Sequence, residues 1–213
     1  TCGTVRYAAT GITNISRQTF TFTNKGPNHL TVLKTDTGSN PLANAGFTLY
    51  DENGKVVESQ KMSEYYRRNL TNTNDLQISI DGSIYSVYEV GNEKVYYTPL
   101  SEEEISAYLS GTLEDREEVV ALVHFDDLAD GRYYLRETLS PNGYSGIDRN
   151  TRIQFTLPYD SSDEWTSSSI DGVNCDTSNG VLNVQYTIKN KMNTGIFQFY
   201  KENKEGERMQ GVS

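Results

Sequence analysis

Cysteine and histidine are scarce in this chain of 213 residues: Cys2, Cys175, His29 and His124 are the whole supply. No Cys-x-x-Cys spacing occurs, so neither a thiolate zinc site nor a redox dithiol has support. No motif flanks a Cys–His nucleophilic pair, and none marks Cys2 as one half of a thioester. Cys2 and Cys175 are a candidate disulfide, with two independent thiols as the favoured alternative. Apolar runs are short, and none approaches the length that spans a membrane. Positive charge is in deficit, with 19 Lys and Arg against 29 Asp and Glu, a formal net charge of −10. That balance repels phosphate backbones and anionic lipid, so neither nucleic acid nor a membrane surface is an expected partner. Also missing are a Ser-His-Asp pattern, a phosphate loop and the acidic spacing of an EF-hand. Asp160, Asp163, Glu164, Asp171 and Asp176 read as solvated loop charges. Hence no cofactor, no metal and no turnover enzyme are expected.

What the chain does contain is strand chemistry. Fifteen tyrosines with abundant Thr, Asn, Gly and Ser favour strands joined by turns. Alternating or β-rich runs occur at 19–24, 29–36, 47–50, 76–80, 84–90, 119–125, 132–138, 151–157 and 181–190. Turn signals separate them at Asp51-Glu52-Asn53-Gly54, Asp130-Gly131 and Pro141-Asn142-Gly143-Tyr144. One helix is expected from residue 101: Ser101 and Glu104 form a capping box, Ile105, Tyr108 and Leu109 share a face, and Gly111 ends it. The whole is mainly β, a sandwich carrying a helix-containing insertion at about 59–121.

Side chains in a strand alternate between its faces, so parity assigns each residue a side. Lys34 shares parity with Leu30 and Val32, Glu137 with Tyr133 and Leu135, and Asn190 with Tyr186 and Ile188. Each either emerges into solvent at its strand end or is aimed into an apolar interior. Burying a lone ammonium or carboxylate costs several kcal/mol, lowers a lysine pKa and raises a glutamate pKa. An amine pushed toward neutrality is a nucleophile, and a neighbouring protonated carboxyl polarises a carboxamide. Lys34 would then attack the Asn190 carboxamide with Glu137 as proton shuttle, once, leaving a neutral amide.

The segments HLTVLKTD…NPLANAGFTLYDENGKVV, FDDLADGRYYLRETLSPNGY and YTIKNK resemble, in this order, the Cna B-type (SpaA-like, prealbumin-type) domains of Gram-positive surface adhesins and pilins. The resemblance covers about 26–58, 122–157 and 181–192; the insertion and a polar stretch at 158–180 depart from it. It implies an Ig-like, prealbumin-type β-sandwich with a Lys34–Asn190 isopeptide bond assisted by Glu137. It also implies a structural stalk module on the extracellular, cell-wall-anchored surface of a Gram-positive bacterium. The alternative is an adhesive module that binds a host matrix protein or glycan through Tyr65, Tyr66, Tyr85, Tyr88, Tyr96, Tyr97 and Tyr108 of the insertion.

A strand–Asn–gap–strand–Lys pattern occurs twice, as FTFTNKGPNHLTVLKTD and YTIKNKMNTGIFQFYKEN. Asn24 and Asn190 stand 166 residues apart, the length of one repeat in a tandem array. On this reading residues 1–25 end a preceding domain, 26–192 form the complete unit, and 193–213 open a following domain. Asn24 and Lys201 would be crosslink residues of the adjacent domains, so the sequence reads as a piece of a longer chain.

Overall fold

Two twisted sheets face each other in the computed structural model, which describes residues 28–71, 84–90, 93–167, 170–176, 183–194 and 204–205. The strands are β1 (Asn28–Asp36), β2 (Gly46–Asp51), β3 (Val56–Met62), β4 (Glu64–Thr71), β5 (Ile84–Val90) and β6 (Glu93–Pro99). After the helix α1 (Glu102–Ser110) come β7 (Val119–Leu128), β8 (Gly131–Leu139), β9 (Tyr144–Ser145), β10 (Ile153–Leu157), β11 (Val173–Asp176) and β12 (Asn183–Met192). The larger sheet has the order β11-β12-β1-β7-β4-β6-β5, with β9 also on β12; the smaller has the order β10-β8-β2-β3.

The core lies between the sheets. Leu30, Val32, Val123, Phe125, Val184, Tyr186 and Ile188 face Phe47, Leu49, Tyr133, Leu135, Ile153, Phe155 and Leu157. These are the apolar positions that alternation assigns to one side of each strand, and burying them supplies the main driving force for association of the sheets. Among the described residues the first and last strands, β1 and β12, lie side by side in parallel, with Lys34 opposite Ile188 and Asp36 opposite Asn190. Parallel neighbours need a long crossover, and here residues 37–182 provide it.

The expected turns form as read. Asp51 accepts from the backbone N–H groups of Asn53 and Lys55, and Gly54 and Gly143 occupy the left-handed region at φ 86° and 83°. The helix starts on a complete Ser101–Glu104 capping box and stops at Gly111. Its expected apolar face is only partly used: Ile105 and Tyr108 are half-buried, while Leu109 is 68 % exposed. No residue of the helix is fully buried, so it sits outside the core and touches the sheet through few side chains. Glu104 ties it to β4 through Arg67 at 3.0 Å, and Tyr108 packs against Tyr65.

The insertion is part of the sandwich rather than an appendage. β4 pairs with β7, β6 with β4, and β5 with β6, so the larger sheet is widened by three strands. Val95, Tyr97 and Leu122 form a small second core beneath them. β3, β4, β6, β9 and β11 were not evident in the sequence. β3 is largely exposed and β4 carries adjacent charges, so neither shows a clean apolar alternation. The expected strands at 19–24 and 76–80 lie outside the described residues.

Candidate functional site

Lys34 reaches the core because β1 turns the Leu30–Val32–Lys34 side inward; its side chain is fully buried. β12 holds Asn190 on the same interior face, displaced two residues along the strand from the position opposite Lys34. Glu137 arrives from the other sheet, on β8, where it stands opposite Phe47 of β2. Glu137 and Asn190 are 2 % and 0 % exposed, so none of the three emerges into solvent.

The three side chains meet. Asn190 Nδ2 donates to Glu137 Oε1 at 2.7 Å, and Lys34 Nζ lies 3.9 Å from the same oxygen. Lys34 Nζ donates to the carbonyl of Ile188 at 3.0 Å, which aims the amine at β12. The second carboxylate oxygen of Glu137 accepts from the Ile147 backbone N–H at 3.2 Å. Asn190 Oδ1 is a buried acceptor without a donor, an arrangement that costs about 1–3 kcal/mol. Burial pushes the Lys34 ammonium down from 10.5 to about 8, against the opposing pull of the Glu137 and Asp36 charges. A site of this composition can move a proton between amine and carboxylate and present the amine to a carboxamide.

Two participants were missed in the sequence. Ile147 supplies the backbone donor to Glu137, and Gly146 leaves room for it: a Cβ there would lie 3.1 Å from Glu137 Cδ and Oε2 and 2.2 Å from Ser140 Oγ. The run Gly-Tyr-Ser-Gly at 143–146 was legible only as a turn.

Of the other candidate residues, Asn24, Lys201 and Cys2 lie outside the described residues, as does the side chain of Cys175. Among the tyrosines of the insertion, Tyr97 is buried in the small core and so is not a contact surface. Tyr65, Tyr66, Tyr96 and Tyr108 are half-buried, and the side chains of Tyr85 and Tyr88 lie outside the described ones. Asp160 and Asp163 serve their own loop, accepting from Ser162 and Trp165.

No family model matches the chain, and no curated protein matches it. Among solved structures it is similar to pilin and pilus adhesin domains of Gram-positive bacteria. The backbone protein of the group B streptococcus pilus 2b is 16 % identical, with 78 % of this chain and 42 % of that one covered at a TM-score of 0.34. A C-terminal fragment of the pilus adhesin SpaC from Lactobacillus rhamnosus GG is 16 % identical, with 81 % and 47 % covered at 0.40. The minor pilin of Streptococcus agalactiae is 16 % identical, with 82 % and 48 % covered at 0.34. The chain spans less than half the length of each of these. The class of the fold, a β-sandwich, rests on the two packed sheets themselves rather than on these superpositions.

Proposed function

We propose that this chain is a load-bearing stalk module of a Gram-positive cell-surface adhesin or pilin, closed by an autocatalytic isopeptide bond between Lys34 and Asn190. The observation that carries the reading is the burial of Lys34 and Asn190 around one Glu137 carboxylate oxygen, at 3.9 Å and 2.7 Å, where three solvated residues would have no reason to be.

The Glu137 carboxylate takes a proton from the Lys34 ammonium, leaving a neutral amine and a neutral acid. Rotation of the Asn190 carboxamide exchanges its nitrogen and oxygen, so that the acid can donate to Oδ1, which otherwise has no donor. Nζ attacks Cγ, the Nζ–Cγ bond forms, and the Cγ–Nδ2 bond breaks. Glu137 passes the amine's proton to Nδ2, which leaves as ammonia. A buried charge pair is thereby exchanged for a neutral amide, which removes the desolvation cost that opposed assembly. The product joins the parallel strands β1 and β12, so tension entering at β1 and leaving at β12 passes through the crosslink and spares the sheets between. An amide, unlike a disulfide, withstands reduction.

The same reading makes 26–192 the complete unit and leaves Asn24 and Lys201 to neighbouring domains of a longer extracellular chain. The adhesive alternative draws on a cleft of about 620 Å³ lined by Tyr65, Tyr108, Leu109 and Arg116, but the burial of Tyr97 weakens it.

Intact-mass spectrometry tests the proposal. The purified chain is expected to be lighter than its calculated mass by one ammonia; the full calculated mass would sink the reading. Gly146→Ala probes the support of Glu137. The added methyl must push Ser140 and the carboxylate aside, at about 1–3 kcal/mol. The fraction of newly synthesised chain lacking one ammonia, followed in time, should rise more slowly than in the parent. An unchanged time course would show that the Gly146–Ile147 turn does not hold the carboxylate.

A further inference from the structure

We propose that the outer face of the larger sheet carries a zinc site formed by His29, His124 and Asp126. The two histidines stand 95 residues apart in the sequence, yet the pairing of β1 with β7 sets Thr31 opposite His124 and brings His29 alongside. His124 and Asp126 share a face of β7 as i and i+2. Each of the three offers a ligand atom, and these atoms all lie within 4.8 Å of one another. His124 Nε2 is 2.7 Å and His29 Nδ1 3.1 Å from Asp126 Oδ1. Tetrahedral zinc with bonds of about 2.0–2.2 Å needs its ligands roughly 3.3 Å apart. The side chains of His29 and Asp126, 40 % and 57 % exposed, are free to make that small adjustment.

The support behind the ligands is also in place. Thr31 Oγ1, buried, lies 2.7 Å from His124 Nδ1. With Nδ1–H donating to that hydroxyl, the Nε2 lone pair points outward, as outer-shell partners of metal-bound histidines arrange it. The rings of His29 and His124 stack at 5.9 Å. Lys61, the nearby cation, does not occupy the site: its Nζ donates to the His124 carbonyl and lies over the Phe125 ring. Two imidazoles and one carboxylate suit zinc better than calcium or magnesium, which prefer all-oxygen sets. Three protein ligands leave a fourth position facing solvent. The ion would clip the first residues of β1 to β7, on the opposite face of the strand from Lys34.

Calorimetric titration of the full chain with Zn2+, and visible absorption with Co2+ as the probe, test the site. The parent is expected to bind one ion per chain saturably, to show a tetrahedral Co2+ band, and to melt higher with zinc. His29→Ala and His124→Ala should each abolish the band and the one-to-one binding. Thr31→Val should weaken zinc binding about tenfold while keeping the ligands. His29 is partly exposed, so its variant should keep the metal-free melting temperature of the parent. Absence of saturable binding in the parent overturns the proposal. So does binding that persists unchanged in His29→Ala, which would assign the ion to surface carboxylates or cysteines.

Discussion

Asn190→Ala is expected to produce a chain of full calculated mass, with a melting temperature lower by roughly 10–20 °C. Losing the proposed crosslink would free a loop of 157 residues (34 through 190), which in the chain-entropy account of covalent links is worth about 5 kcal/mol. For a chain of this size each kcal/mol moves the melting temperature by about 2–4 °C. Lys34→Ala should lose the crosslink equally but differ in its response to pH. In Asn190→Ala the buried amine survives, with a pKa near 8 against 10.5 in the unfolded chain. Below about pH 8 both states are charged, and the folded state bears the full penalty, about 3 kcal/mol. Between about pH 8 and 10.5 the unfolded state binds more protons, so stability rises with pH and the penalty disappears. Lys34→Ala has no such amine and should show no corresponding rise. Urea unfolding of both variants across that window decides the matter. Identical profiles would mean that Lys34 is solvated in the unlinked protein.

Glu137→Ala is expected to be the more damaging of the acid-site substitutions. It removes the proton acceptor, so the bond should not form. It also strips the buried ammonium of its 3.9 Å counter-charge and Asn190 Nδ2 of its acceptor. Breaking one side of a buried pair typically costs about 3–5 kcal/mol, in addition to the crosslink. Glu137→Gln separates the two effects, because the glutamine oxygen can still accept from Asn190 while no proton can be taken from Lys34. It should remain unlinked by mass and be less destabilised than Glu137→Ala. A chain lacking one ammonia in Glu137→Gln would remove Glu137 from the proton-transfer role and leave it a structural contact.

Much of this site was legible before any coordinates. Alternation in HLTVLKTD, RYYLRET and VQYTIKN put Lys34, Glu137 and Asn190 on the apolar sides of their strands, and burial at 0–2 % exposure follows that parity. Parity is a local property, set by the two-residue period of the extended backbone, and so it survives whatever the strands pair with. Helix α1 was legible for a similar reason: its cap is a contact between residues three apart. Within the insertion β5 was legible at 84–90, but β4 and β6 were not, because they are defined by their neighbours in the sheet rather than by an apolar stripe of their own.

What the sequence by itself determined is which side chains turn inward and where the chain turns. Only the tertiary structure decided which of them meet. The parallel pairing of β1 with β12 sets Asn190 two residues beyond the position opposite Lys34, and the packing of the second sheet carries Glu137 to both. The grouping of His29 with His124 and Asp126 likewise arises from strands distant in sequence. Their positions depend on sheet order and register, which are set by burial summed over the whole sandwich. No local spacing encodes that sum.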